Sequence, residues 1–135
     1  MAKTAKLFER GGFEAFVKAL PATSIVRQWG DASVGKVGEK IFASFNEDGN
    51  TGSTSVSFKC AEHSFELLTG LGGVRPAPYL ARAKWVAVEA DSALSAKEIA
   101  GYVIEAHRLV AAKLTRKARA ELGLGEFIAA GRDKR

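Results

Sequence analysis

The chain has 135 residues, 47% of them hydrophobic and 26% charged, with 20 Lys and Arg against 15 Asp and Glu for a net charge of +5. That length makes one domain, and its apolar share is enough to offset chain entropy, so neither two full-sized cores nor a wholly disordered chain fits. One cysteine, Cys60, excludes an intramolecular disulfide, and no run approaches the ~18 apolar residues of a membrane span. The opening residues Met1–Glu9 lack the apolar stretch of a signal peptide, which with the lone thiol points to the cytoplasm.

Phe13, Phe16, Val17 and Leu20 recur at helical spacing, so the first element is a helix approached by Gly11-Gly12 and stopped by Pro21. Strand-like pieces follow at Thr23 to Trp29, Ser33 to Val37 and Lys40 to Asn46, and 46–52 has the composition of a hairpin loop. Thr54, Val56, Phe58 and Cys60 then alternate with Ser53, Ser55, Ser57 and Lys59, predicting a strand with one apolar and one wet face. Ala61 to Thr69 reads as a short helix, and Arg75-Pro76-Ala77-Pro78 as an extended connector, because each proline disfavours helix before it. Tyr79 to Glu89 is strand-like, with a bend near Ala83. Ser95 and Glu98 match a capping box that opens a helix expected to run to about Leu114. Thr115 is placed to cap a further helix ending at Gly123, and residues 125–135 read as a C-terminal extension with a frayed end. This order predicts a single α+β domain over 1–124, with a mostly antiparallel sheet packed against helices.

No pattern announces a reaction. Cys60-Ala61-Glu62-His63 offers two ligands at C-x-x-H spacing with only His107 as a further histidine, short of a four-ligand zinc site. Cys60 continues the apolar alternation of its strand and reads as core rather than as the nucleophile of a Cys–His pair. Gly70-Leu71-Gly72-Gly73 lacks the Lys-Ser/Thr ending of a phosphate loop, and Gly35-Lys36-Val37-Gly38 reads as a hairpin turn between strands. No metal, cofactor or catalytic residue is expected.

Charge placement is more telling. Residues 1–73 carry eight basic and eight acidic side chains, whereas residues 74–135 carry twelve basic and seven acidic ones. Arg108, Lys113, Arg116, Lys117 and Arg119 fall in a stretch without an acid, and Lys113, Arg116 and Lys117 would share a face of an unbroken helix. Arg82 and Lys84 share a strand face if the strand is continuous there, with Arg75 and Arg82 flanking Tyr79. Lys36 and Lys40 bracket a hairpin turn. A localised basic surface of this kind attracts phosphates or an acidic protein.

Several stretches occur in a recognisable order: Trp29-Gly30, 38–44 (GEKIFAS), 56–60 (VSFKC), 73–86 (GVRPAPYLARAKWV) and 109–114 (LVAAKL). Over roughly Phe13 to Leu124 the sequence resembles the MmcQ/YjbR-like family of small bacterial proteins. The resemblance implies a CyaY-like or "double wing" α+β fold, in which hairpins project from an antiparallel sheet, and a DNA-binding role. It carries over no catalytic residues. The chain departs from the family pattern at Arg27-Gln28, where His-Pro is common, at Ala106, where Ser is common, and at Thr115, where Pro is common.

The expectation is therefore a non-enzymatic DNA-binding or regulatory accessory protein. Lys36, Lys40, Arg75, Arg82, Lys84, Lys113, Arg116, Lys117 and Arg119 would meet phosphates as electrostatic contacts. The alternative partner is an acidic protein or a small anion held near Arg75 to Lys84, and an apolar patch at Phe127-Ile128 would favour a protein.

Overall fold

The alternating run at Thr54–Lys59 becomes an interior strand of a six-stranded sheet in which every described pair is antiparallel. The computed structural model describes residues 7–28, 31–48, 50–77 and 83–124. Its elements are α1 (Arg10–Lys18), β1 (Thr23–Gln28), β2 (Ala32–Val37), β3 (Lys40–Glu47), β4 (Thr54–Lys59), α2 (Glu62–Leu68), β5 (Val74–Pro76), β6 (Trp85–Glu89), α3 (Ala96–Ala111) and α4 (Arg116–Glu121). The spatial strand order is β1-β2-β3-β4-β6-β5. The α+β class and the single sheet packed against helices are as expected.

Register assigns the two faces. Ile25, Gly35, Ala43, Phe58 and Val86 stand in one row across the sheet, because each is paired with the next. This row faces the helices. Phe13 and Val17 of α1, Leu68 of α2 and Ile99, Val103 and Val110 of α3 join Phe45, Val56 and Phe58 in one buried cluster. The opposite face carries the row Val34, Ser44, Ser57, Ala87 and Arg75. There Ser44 and Ser57 are buried, and both accept hydrogen bonds from the Asn46 amide. The wet face expected for β4 is thus not wet at Ser57. A mid-sheet serine is shorter than its surroundings and is tied into a side-chain network. Trp85, Ala77 and Ala87 form a second small apolar cluster on the same face, with Ile41 against it.

Two local devices shape the end of β3. The β2–β3 connection is a two-residue turn with Gly38 at φ 54° and Glu39 at φ 70°, the backbone that a tight hairpin of native twist demands. Phe42 is then an extra residue between Ile41 and Ala43, where the register shifts. The bulge lets the Phe42 ring meet the His107 ring edge-on, with centroids 5.2 Å apart.

The structure corrects several boundaries. Gly11 and Gly12 lie inside the first turn of α1 rather than before it, since the start of a helix asks little of side chains. The proline-flanked stretch at Arg75 is a strand, not a connector. Val74–Pro76 pairs with β6 as a three-residue edge strand, where a proline is tolerated. The Ser95–Glu98 capping box forms in both directions, but α3 stops at Ala111, and Leu114 reaches the core from the following turn. Thr115 caps α4 through the Ala118 amide, as read. Trp29-Gly30, Tyr79, Arg82 and the 125–135 extension, with Phe127 and Ile128, lie outside the described residues. Among the described residues no helix is long and apolar enough to cross a membrane.

Candidate functional site

Antiparallel topology sorts the cations by end. Val37 and Lys40 flank the β2–β3 turn, so β3 begins where β2 finishes. Lys59 closes β4 opposite Trp85, so the Lys84 turn lies beside it. The α3–α4 connection reaches the same end: a Cβ on Gly38 would lie 2.7 Å from Leu114 Cδ1 and 3.1 Å from Leu122 Cδ1. One end of the sheet therefore collects Lys36, Lys40, Lys59, Lys84, Lys113, Arg116, Lys117 and Arg119, with Lys18 at the C-terminus of α1 beside it. Among the described residues none of these cations forms an ion pair, although Glu39, Glu62 and Glu121 lie on elements at the same end.

Local contacts hold this end in shape. Lys59 Nζ donates to the Ala83 carbonyl at 2.7 Å. Its ammonium pKa is lowered, first by burial and then by the Lys113 cation, so β4 and the α3–α4 turn are electrostatic neighbours. Lys84 adopts φ 64°, with its carbonyl accepting from the Cys60 amide at 2.9 Å and its ammonium 5.0 Å from the centre of the Phe65 ring. Arg119 donates to the Ala112 carbonyl at 3.4 Å, which ties α4 back to the end of α3.

The opposite end has the reverse character. Arg10 contacts Asp31 and Glu47, Arg27 contacts Asp31 and Glu14, and Arg75 is paired with Glu89. A polar recess of about 320 Å³ there is lined by Asn46, Asp48, Ser55, Arg75 and Glu89 among others. Surplus cations gather at one end and paired cations with surplus carboxylates at the other.

The expected site is thereby partly assembled and partly redistributed. Lys36, Lys40, Lys84, Lys113, Arg116, Lys117 and Arg119 come together. Arg75 does not: β5 runs antiparallel to β6, so its side chain reaches Glu89 at the far end rather than Lys84. Within the stretch from Arg75 to Lys84, residues 78–82, Tyr79 and Arg82 among them, lie outside the described residues. Lys113, Arg116 and Lys117 do not share a helix face either, because α3 ends at Ala111 and α4 starts at Arg116. Lys84 sits in a turn before β6, not on a strand face. Lys59 was missed. Its place as the last polar residue of an alternating strand is the signal that could have found it, once hairpin ends are aligned.

The remaining chemistry-bearing side chains are built into the core. Cys60 is buried, its thiol donates to the Lys84 carbonyl at 3.4 Å, and burial pushes its pKa up to about 11 against the weaker pull of Lys59 and Lys84. His107 is fully buried, with Nε2 2.7 Å from the Pro21 carbonyl, to which it donates. Burial drives its pKa below the ordinary imidazole range; the Pro21 hydrogen bond opposes this and the Arg108 cation reinforces it. His63 is exposed on α2. No group of three or more His, Cys, Asp or Glu among the described residues is placed to hold a metal ion.

An α+β domain of one antiparallel sheet, helices on one face and cations gathered at one end, is the class these observations define. The YjbR family profile matches residues 18–109, and the chain belongs to the YjbR family. Two solved structures share the fold. One is the Deinococcus radiodurans protein DR2400, which carries a DUF419 domain, with a TM-score of 0.72 at 23% identity over 84% of this chain and 86% of that one. The other is a Pseudomonas syringae protein, with a TM-score of 0.63 at 19% identity over 75% of this chain and 97% of that one. No curated protein matches the chain.

Proposed function

We propose that this protein is a DNA-binding or regulatory accessory protein that engages the phosphate backbone through the basic end of its sheet. One observation carries the reading. The cations of four separate elements converge at that end without ion pairs among the described residues, while those at the other end are held by carboxylates. An unpaired cation keeps its full attraction for a phosphate, and several together release counterions on binding. The β2–β3 hairpin acts as a wing that carries Lys36 and Lys40. Leu114 and Leu122 against Gly38 lock that wing to Arg116 and Lys117, so the contacts act as one surface. Contacts of this kind fix position on the duplex without reading its sequence. Cys60, held as a buried thiol, is a poor nucleophile, which favours a binding role over covalent catalysis.

Anisotropy titrations with labelled duplex DNA, single-stranded DNA and RNA at about 50 mM salt test the proposal. Micromolar or tighter binding to duplex, weakened by salt, supports it. If micromolar protein binds none of the three, the reading is wrong, and the basic end becomes a site for an acidic protein or small anion.

A further inference from the structure

The two edges of the sheet are built differently. β5 is a blunted edge: three residues, one of them Pro76, beside α2. β1 is an open one. Its six residues, Thr-Ser-Ile-Val-Arg-Gln, pair with β2 in continuous register from Thr23↔Val37 to Gln28↔Ala32, with no bulge, no proline and no lysine. Among the described residues no strand pairs beyond it. Its one charge, Arg27, is turned back onto Asp31 and Glu14 of its own chain. Natural edges of this length normally carry an inward charge, a proline or a bulge to prevent pairing. β1 has neither proline nor bulge, and its one inward charge, Arg27 opposite Ser33, is met by Glu14 and Asp31 of its own chain.

We infer that β1 is the interface of a two-fold homodimer, in which β1 of a second copy adds antiparallel to it and the two sheets become one. The strand is self-complementary in the way such an isologous contact requires. Side chains directly opposite in an antiparallel pair lie on the same face, so a register that keeps both helix layers on one side must pair odd residues with odd. The central registers of this kind place Ile25 opposite Ile25 or Val26 opposite Val26. Arg27 then faces Thr23 or Ile25, and no like charges meet. The reversal of direction also sets the Lys18 and Lys36 end of one copy beside the Asp31 end of the other, so the charge separation within each molecule becomes attraction across the axis. The inference does not rest on the nucleic-acid reading, since the contact lies along the sheet edge.

Sedimentation equilibrium of the full chain, without nucleic acid, from about 1 to about 300 µM tests it, because the mass of an associating chain depends on its concentration. The expected mass rises from one chain to two and stops there, as a closed two-fold contact dictates. Val26→Lys, a charge at the centre of the edge, should raise the concentration at half-association at least tenfold. Amide hydrogen exchange on the unaltered protein is the parallel reading, and needs no variant to fold. Exchange along Thr23–Gln28 should slow as concentration rises, while β5 is unaffected. A mass of one chain throughout, growth beyond two chains, or β1 exchange independent of concentration would overturn the inference.

Discussion

Replacing Gly38 by alanine should unfold the protein more easily and at the same time loosen its basic end. The cost has two sources. Gly38 sits at φ 54°, where a side chain costs about 1–2 kcal/mol. The new Cβ would also lie 2.7 Å from Leu114 Cδ1 and 3.1 Å from Leu122 Cδ1, so both leucines must shift. Overpacking of this kind costs about 1–3 kcal/mol. A combined loss of about 3 kcal/mol, with a urea m-value of about 2 kcal/mol/M, lowers the unfolding midpoint by about 1.5 M. Urea denaturation followed by circular dichroism reads this directly. Gly11→Ala is the matched control. Gly11 lies in α1 with nothing within 4 Å of a built Cβ and no positive φ, so alanine there should stabilise, by up to about 1 kcal/mol. Adding Leu114→Ala to Gly38→Ala should cost less than the sum of the two, because the smaller side chain removes the closest collision. A midpoint unchanged by Gly38→Ala, or strict additivity with Leu114→Ala, would refute the contact between wing and helices.

Two further predictions follow from buried groups. His107 is neutral in the folded protein and ionises more readily once unfolded, so the unfolded chain binds the extra proton. The His107 contribution to stability should therefore be flat above the ordinary imidazole value of 6.5 and fall as pH drops below it. His107→Gln, which keeps a donor for the Pro21 carbonyl, should remove this component; an equal pH dependence in the two proteins would contradict it. Cys60, raised from 9.0 to about 11, should react with iodoacetamide about 100-fold more slowly in the native protein than in urea near pH 8. Equal rates would mean that the thiol is exposed.

Local signals were the legible ones. The Ser95–Glu98 capping box, the Thr115 cap and the helical stripe of Phe13 and Val17 depend on residues a few positions apart, and each formed as read. Elements made by pairing were not. Val74–Pro76 has the composition of a connector and becomes a strand only because β6 supplies its partner. α3 ends earlier than its apolar stripe predicts, because Leu114 continues the stripe and stays buried although it lies in a turn. The candidate site follows the same division. Arg116, Lys117 and Arg119 stand out as a run, but Lys59 looks like an ordinary polar residue until hairpin topology sets it beside Lys84 and Lys113. Arg75 misled for the mirror-image reason. It is close to Lys84 in sequence, yet the chain reverses between β5 and β6, and Glu89 claims its side chain.

The salt dependence of duplex-DNA binding, compared between two variants, tests the central claim most directly. One variant combines Lys113→Ala, Arg116→Ala and Lys117→Ala at the basic end; the other is Arg75→Ala at the opposite end. Each lost phosphate contact lowers the slope of log affinity against log salt by about 0.9, so the triple variant should lose about 3 from the slope measured between about 50 and 200 mM. Arg75→Ala should leave both slope and affinity as they are. Equal slopes for the unaltered protein and the triple variant, or a larger loss from Arg75→Ala, would contradict the assignment of the basic end as the binding surface.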